Sequence, residues 1–491
     1  MLHKKALLSV LGSLLIAMTA FAGQSRNVEA KVELPKTAAG QSVQAFLDAL
    51  NSGDVGQLER FFAAHISADA AMQAPPADRA ARVMQLHREM GAMKLMKADS
   101  PSPESVVIYV SGDRNQLMRV GFQFSPAPEY FLKGISVDEA APEDLAGSPQ
   151  PMTGPEALAS LEKEIAAAVA ADEFSGVVLV AHQGRPLFLK AWGLANKEFA
   201  VPNRTDTKFN LGSINKIFTK LAIAQLIEKG KLSLDDKLGT VLPEYPNAAA
   251  RAKVTVRQLL DMKSGIGDFF GDRFVATPKD AFRSNADFLL MFADQPLAFE
   301  PGAQQSYSNG GYIVLGEIVG RVSGMDYYDY VRKNIYEPAG MMSTDSYEAD
   351  VSVPNLAEGY TRRWDGNENP GSPRRRNTYT RPARGSAAGG GYTTAEDLLR
   401  FTNALVADKL LSPAYTEWQL TGAEPSLSQK TPAGPRQRGG LGVAGGAPGI
   451  NAALELDRET GYVIVVLGND DPPAAVNIAK KARRLIGAIK K

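Results

Sequence analysis

Phe209-Asn210-Leu211-Gly212-Ser213-Ile214-Asn215-Lys216 opens a helical stretch in which Ile214, Ile217, Phe218, Leu221 and Leu226 form an apolar stripe. Lys229-Gly230 supplies its stop. Three residues make about one helical turn, so Ser213 and Lys216 share a face. An amine there, once neutral, can take the serine proton, and burial lowers a lysine pKa toward that state. The helix start adds a positive field that favours negative charge at Ser213. A chain of this length holds about one Ser-x-x-Lys by chance, so the motif alone decides little. Its bland reading is a surface lysine one turn after a capping serine.

Other activating groups are scarce. The chain has no cysteine and four histidines, His3, His65, His87 and His182. None follows residue 182, so a clustered zinc site in that half is not available. A Ser-His-Asp triad would have to borrow His182. No cofactor and no metal are expected.

Three further stretches fall in order around this one. Tyr307-Ser308-Asn309 lies in a Gly-rich loop leading into a helix near Ile313 to Val322. A tyrosine there can relay protons, and an asparagine can hold a substrate amide; the bland reading is a turn tyrosine. Thr255 to Gly265 and Gly389 to Leu398 follow suit, the latter with Thr393 and Glu396 as an expected capping box. Gly445-Gly446-Ala447-Pro448-Gly449-Ile450 precedes the last hairpin, and its glycines let backbone approach a ligand closely.

Taken together, residues 158 to 491 resemble the serine β-lactamase and penicillin-binding family, in its class C β-lactamase, esterase and D-aminopeptidase branch. The resemblance implies an α+β fold, an antiparallel sheet with flanking helices and a helical subdomain. It implies that Ser213 is the acylated nucleophile, that Lys216 and Tyr307 share the acid/base work, and that Asn309 contacts substrate. The oxyanion hole would be the backbone N–H groups of Ser213 and Gly446, with Gly445 beside them. Losing one such donor costs about a hundredfold or more in rate. The implied activity is ester or amide hydrolysis through an acyl-enzyme, of esterase, D-amino acid peptidase or weak β-lactamase type. The partner is then a small-molecule or peptide substrate.

One position departs from the family pattern. Where the family carries Lys-Thr-Gly or His-x-Gly, this chain reads Val443-Ala444-Gly445. Lys430-Thr431-Pro432 lacks the glycine, and Lys263-Ser264-Gly265 is out of order. Recognition of a substrate carboxylate is expected to weaken without that cation. The competing reading is a binding protein on the same fold, holding peptidoglycan fragments or a protein partner. Arg362, Arg363, Arg374, Arg375, Arg376, Arg381 and Arg384 are read as a solvated loop from which one arginine could reach an anionic group.

The rest of the chain fits an exported two-domain protein. Lys plus Arg and Asp plus Glu are both 54, so nothing favours nucleic acid. Residues 1–22 read as a cleaved signal peptide ending Ala20-Phe21-Ala22, the other reading being an uncleaved anchor. The expected location is periplasmic or secreted. A flexible lead, 23–40, is followed by a small α+β domain, 41–140, loosely NTF2-like in element order. His65 and His87 lie there without carboxylate spacing. That domain is read as a scaffold or a surface for homo-oligomer formation. A Pro-rich linker, 141–157, joins it to the second domain. There the expected elements are a helix near 156–171, strands at 176–181 and 187–191, a hairpin at 451–467 and a last helix at 474–489.

Overall fold

The computed structural model describes residues 32–490 apart from 69–70, 72–74, 114–115, 141, 146–149, 364–370 and 426–438. The stretch read as a signal peptide, the first half of the expected lead, residues 141 and 146–149 of the expected linker and Lys430-Thr431-Pro432 lie outside the described residues. The chain divides into two compact units between residues 147 and 148. Among the described residues, no helix is long and apolar enough to cross a membrane.

The first unit sets helices α1 (Ala38–Asn51), α2 (Val55–His65) and α3 (Pro76–Met90) with an antiparallel sheet of β1 (Lys94–Ser102), β2 (Ser105–Ser111), β3 (Leu117–Phe124) and β4 (Leu132–Glu139), in that order. Asp54 caps α2, its carboxylate accepting from Gly56 N at 2.8 Å. Alternate residues Val106, Ile108 and Val110, with Val120, Phe122 and Phe124, turn inward onto Phe46, Leu50 and Phe61. Strand β1 is not apparent in the sequence. His65 stacks on Phe61 at 4.3 Å and bonds its carbonyl at 2.8 Å.

The second unit begins with α4 (Gly154–Ala170), two residues ahead of the helix read from the sequence. Thr153 and Glu156 form its capping box, so the end of the expected linker is ordered structure. A five-stranded antiparallel sheet follows. It uses β5 (Gly176–His182) and β6 (Arg185–Trp192) from the start of the unit, and β7 (Gly440–Ala447), β8 (Ile450–Asp457) and β9 (Tyr462–Gly468) from its end. The order is β7-β8-β9-β5-β6, with Val465 opposite Leu179 where the two ends of the unit meet. Strand β5 is apolar and buried from Gly176 to Ala181 because both its faces are covered. Val178 and Val180 face α4 and the last helix, α8 (Ala474–Gly487), while Val177, Leu179 and Ala181 face the helical region between the strand groups.

That middle region carries α5 (Lys216–Glu228), α6 (Asn309–Ser323) and α7 (Ala395–Val406). The cap of α7 falls one residue later than expected. Thr394 accepts from Asp397 N at 3.2 Å. Thr393 cannot cap, because it pairs with Phe209 in a two-stranded ladder and its hydroxyl meets that of Thr344 at 2.6 Å.

The arginine-rich stretch is solvated only in part: Arg375 and Arg376 are exposed, whereas Arg374, Arg381 and Arg384 are held by protein partners. Arg374 is buried within 3.6 Å of Asp172, Asp470 and Asp471. Arg384 lies over the Tyr328 ring at 3.7 Å, and Arg381 donates to the Tyr392 hydroxyl. Chain crossings bring Asp172, Asp470 and Asp471 from distant segments to Arg374, which spacing alone could not reveal.

Candidate active site

Ser213 stands in a 3-10 turn, Gly212–Asn215, that runs directly into α5. Gly212 has φ +49°, and a Cβ there would come within 2.8 Å of Gly446 N. A Cβ on Gly445 would stand 1.9 Å from Leu211 O and 2.9 Å from Ser213 N. Only glycine lets strand β7 lie this close to the turn. The backbone nitrogen of Gly446 thereby lies close to Gly212, and that of Ser213 close to Gly445.

The 3-10 turn keeps Ser213 and Lys216 on one face. Lys216 Nζ lies 3.2 Å from Ser213 Oγ. It also donates to Asn309 Oδ1 at 2.7 Å and to Ala388 O at 2.5 Å. Tyr307 completes the group, its hydroxyl 2.7 Å from Ser213 Oγ. The Lys216 nitrogen lies 4.9 Å from the centre of the Tyr307 ring. Burial pushes the Lys216 pKa down to about 7, against the opposing pull of Asp268. Burial also raises the Tyr307 pKa, against the lowering effect of its bond to Ser213. The amine is thus poised to lose its proton and the phenol to keep its own.

Asp268 was not singled out by sequence. Its carboxylate accepts from Asn309 Nδ2 at 2.7 Å and Asn309 N at 3.1 Å, where α6 begins. This fixes the Asn309 amide with its oxygen toward Lys216. Asn309, expected to contact substrate, lines the cavity beside Ser213, and its amide also bonds Lys216 and Asp268. Ser308 anchors the loop by donating to Ile266 O at 2.8 Å, and caps α6 by accepting from Gly311 N at 2.9 Å. A carboxylate following Gly265-Ile266-Gly267 was the available signal. Its partner, however, comes from a distant loop. His182 bonds Thr460 O at 3.1 Å and lies against the Tyr462 ring at a tilt of 32°, and it does not line the cavities at Ser213.

Two cavities meet at Ser213 and Tyr307. The larger, about 1060 Å³, is walled by Phe269, Phe270, Phe274, Val275, Phe288 and Tyr379. Phe270, Val275 and Tyr379 are exposed there, at 60%, 77% and 90%. The smaller, about 470 Å³, lies between α5 and strand β7, with Lys220 and Val443 in its wall.

Residues 161–488 match the Beta-lactamase family. Penicillin-binding protein 4* of Bacillus subtilis is 33% identical over 256 residues, which is 50% of this chain and 55% of that protein. The match therefore spans little more than half the length of that relative. Esterase EstB of Burkholderia gladioli is 31% identical over 329 residues, 61% of this chain and 76% of the esterase. The crystal structure of a penicillin-binding protein from Bacillus halodurans superposes with a TM-score of 0.55 at 30% identity, covering 66% of this chain and 98% of that one. With two-thirds of its length inside the family match and its fold shared with these relatives, the chain belongs to the β-lactamase family of serine hydrolases.

Proposed function

We propose that the chain is an exported serine hydrolase that opens ester or amide bonds through an acyl-enzyme on Ser213. The observation that carries this reading is the network joining Ser213 Oγ to Lys216 Nζ at 3.2 Å and to Tyr307 OH at 2.7 Å. Lys216 has three acceptors around it, which suits an ammonium. When it loses one proton, the two shorter bonds, to Asn309 and Ala388, retain the remaining N–H groups. The lone pair then faces Ser213 and can take the hydroxyl proton. Tyr307, kept protonated, donates to Ser213 Oγ.

In the proposed sequence, Oγ bonds to the substrate carbonyl carbon as its proton passes to Lys216. The carbonyl oxygen gains negative charge opposite the N–H groups of Ser213 and Gly446. Collapse breaks the bond to the leaving alcohol or amine, which takes a proton from the Lys216–Tyr307 pair. Water then attacks the acyl carbon, giving its proton back through the same pair and releasing the acid and free Ser213. The aromatic cavity suits a substrate with a bulky apolar portion. Export rests on the apolar amino-terminal stretch before Ala20-Phe21-Ala22.

A fluorophosphonate probe tests the proposal. Intact-mass measurement is expected to show one adduct on the wild type and none on Ser213→Ala. A folded wild type that takes no adduct would overturn the hydrolase reading in favour of the binding protein.

A further inference from the structure

The smaller cavity holds a cation that the chemistry at Ser213 leaves unused. Lys220 follows Lys216 by one turn of α5, so both face the same side of the helix. Its side chain lines the cavity together with Ser213, Tyr307, Gly442, Val443 and Ala444. Lys216 is bonded to three acceptors. Lys220 makes no hydrogen bond or salt bridge among the described residues, and burial lowers its pKa against the pull of Asp261. Gln419 lines the same cavity, and its amide nitrogen also has no acceptor among the described residues. Two donors without acceptors thus border one small space next to the nucleophile. Partly buried donors left in this condition are costly, and an acceptor arriving with the ligand removes the cost.

We propose that Lys220 is a specificity-determining residue that pairs with a carboxylate on the substrate, held in the smaller cavity beside the bond opened at Ser213. The inference rests on the reading of Ser213 as nucleophile. A carboxylate fits because its two oxygens match an ammonium and an amide donor. The apolar portion of the same substrate would occupy the aromatic cavity on the other side of Ser213. Val443, on the strand wall, supplies no charge; the helix supplies it instead. The weakened carboxylate recognition expected from Val443 is thereby offset.

A pair of esters with one leaving group provides the test. Mono-4-nitrophenyl glutarate carries a carboxylate, and 4-nitrophenyl pentanoate does not. The ratio of their kcat/KM values is expected to fall at least about tenfold in Lys220→Met and to be partly kept in Lys220→Arg. Equal losses on both esters would overturn the assignment. A second arm needs no turnover. Benzylsuccinate binding is measured by calorimetry on Ser213→Ala and on Ser213→Ala/Lys220→Met. Binding to the first and not to the second supports the proposal; equal binding, or none to either, sinks it. Wild type that takes the fluorophosphonate while the ratio stays fixed removes only the role of Lys220. Wild type that takes no adduct and turns over neither ester removes the hydrolase reading, and calorimetry still decides on Lys220.

Discussion

Lys216 is held between two influences of opposite sign. Burial strips water from the ammonium and favours the amine, while the Asp268 carboxylate favours the ammonium. Because the proposed base is the neutral amine, acylation should be slow at acid pH. It should rise about tenfold per pH unit and level off above about 7. Asp268→Asn removes the charge yet leaves an oxygen to accept from Asn309. The lysine pKa then falls further, so the midpoint of the pH–rate profile should move to lower pH. A stopped-flow profile of ester burst rates checks this, and an unmoved or alkaline-shifted midpoint would deny Asp268 its part. The split between what sequence reveals and what it hides follows from distance along the chain. Ser213 and Lys216 are legible because one helical turn fixes their spacing. Tyr307 emerges only through its motif. Asp268 meets Asn309 across 41 residues of chain, and Lys220 becomes interesting only once a cavity opens before it.

Among the elements, strand β7 was the hardest to read and carries much of the site. Gly440 to Ala447 has four glycines and no clean alternation, so periodicity alone does not announce a strand. Pairing with β8 makes it one, and its outer edge then lies against the turn that carries Ser213. By contrast, β5 and β9 are nearly continuous apolar runs bounded by turns, and β8 carries Ala452, Ala453, Leu454 and Leu456 in a short run beside them, so all three were legible. Two glycines of β7 separate the close approach from mere strand membership. A Cβ on Gly445 would collide with the backbone at Leu211 and Ser213, whereas a Cβ on Gly442 meets nothing within 4 Å. Gly445→Ala is therefore expected to cost about 3 kcal/mol and to slow fluorophosphonate labelling sharply. Gly442→Ala should leave stability within about 0.5 kcal/mol of wild type. Urea unfolding of both variants, read beside their labelling rates, decides. Equal stability would mean that the turn does not sit against β7 as described.

At the scale of the whole chain, each unit has a hydrophobic core of its own. The first gathers Ala39 through Leu132, and the buried clusters of the second run from Ala157 to Leu485. Among the described residues, each core is drawn wholly from its own segment of chain, and the second unit is expected to fold without the first. Where a shortened chain begins then matters more than how much is removed. Met152 is tied to the carboxyl end of the unit. Its N–H donates to Ala488 O, and its carbonyl accepts from Lys490 N, both at 3.0 Å. Thr153 next caps α4, with Glu156 returning a bond to Thr153 N at 2.7 Å. A chain starting at residue 150 keeps both devices. One starting at residue 157 loses the cap, at about 1 kcal/mol, and two backbone hydrogen bonds worth about 1 kcal/mol each. Calorimetric scans should place the longer version level with the corresponding transition of the intact protein, and the shorter one about 5 °C or more below it. Fluorophosphonate labelling of Ser213 should survive in both, since neither lost device touches the site. If the version from residue 150 failed to fold, the first unit would have to contribute to the stability of the second, and the separation of the two cores would not describe how the chain is held together.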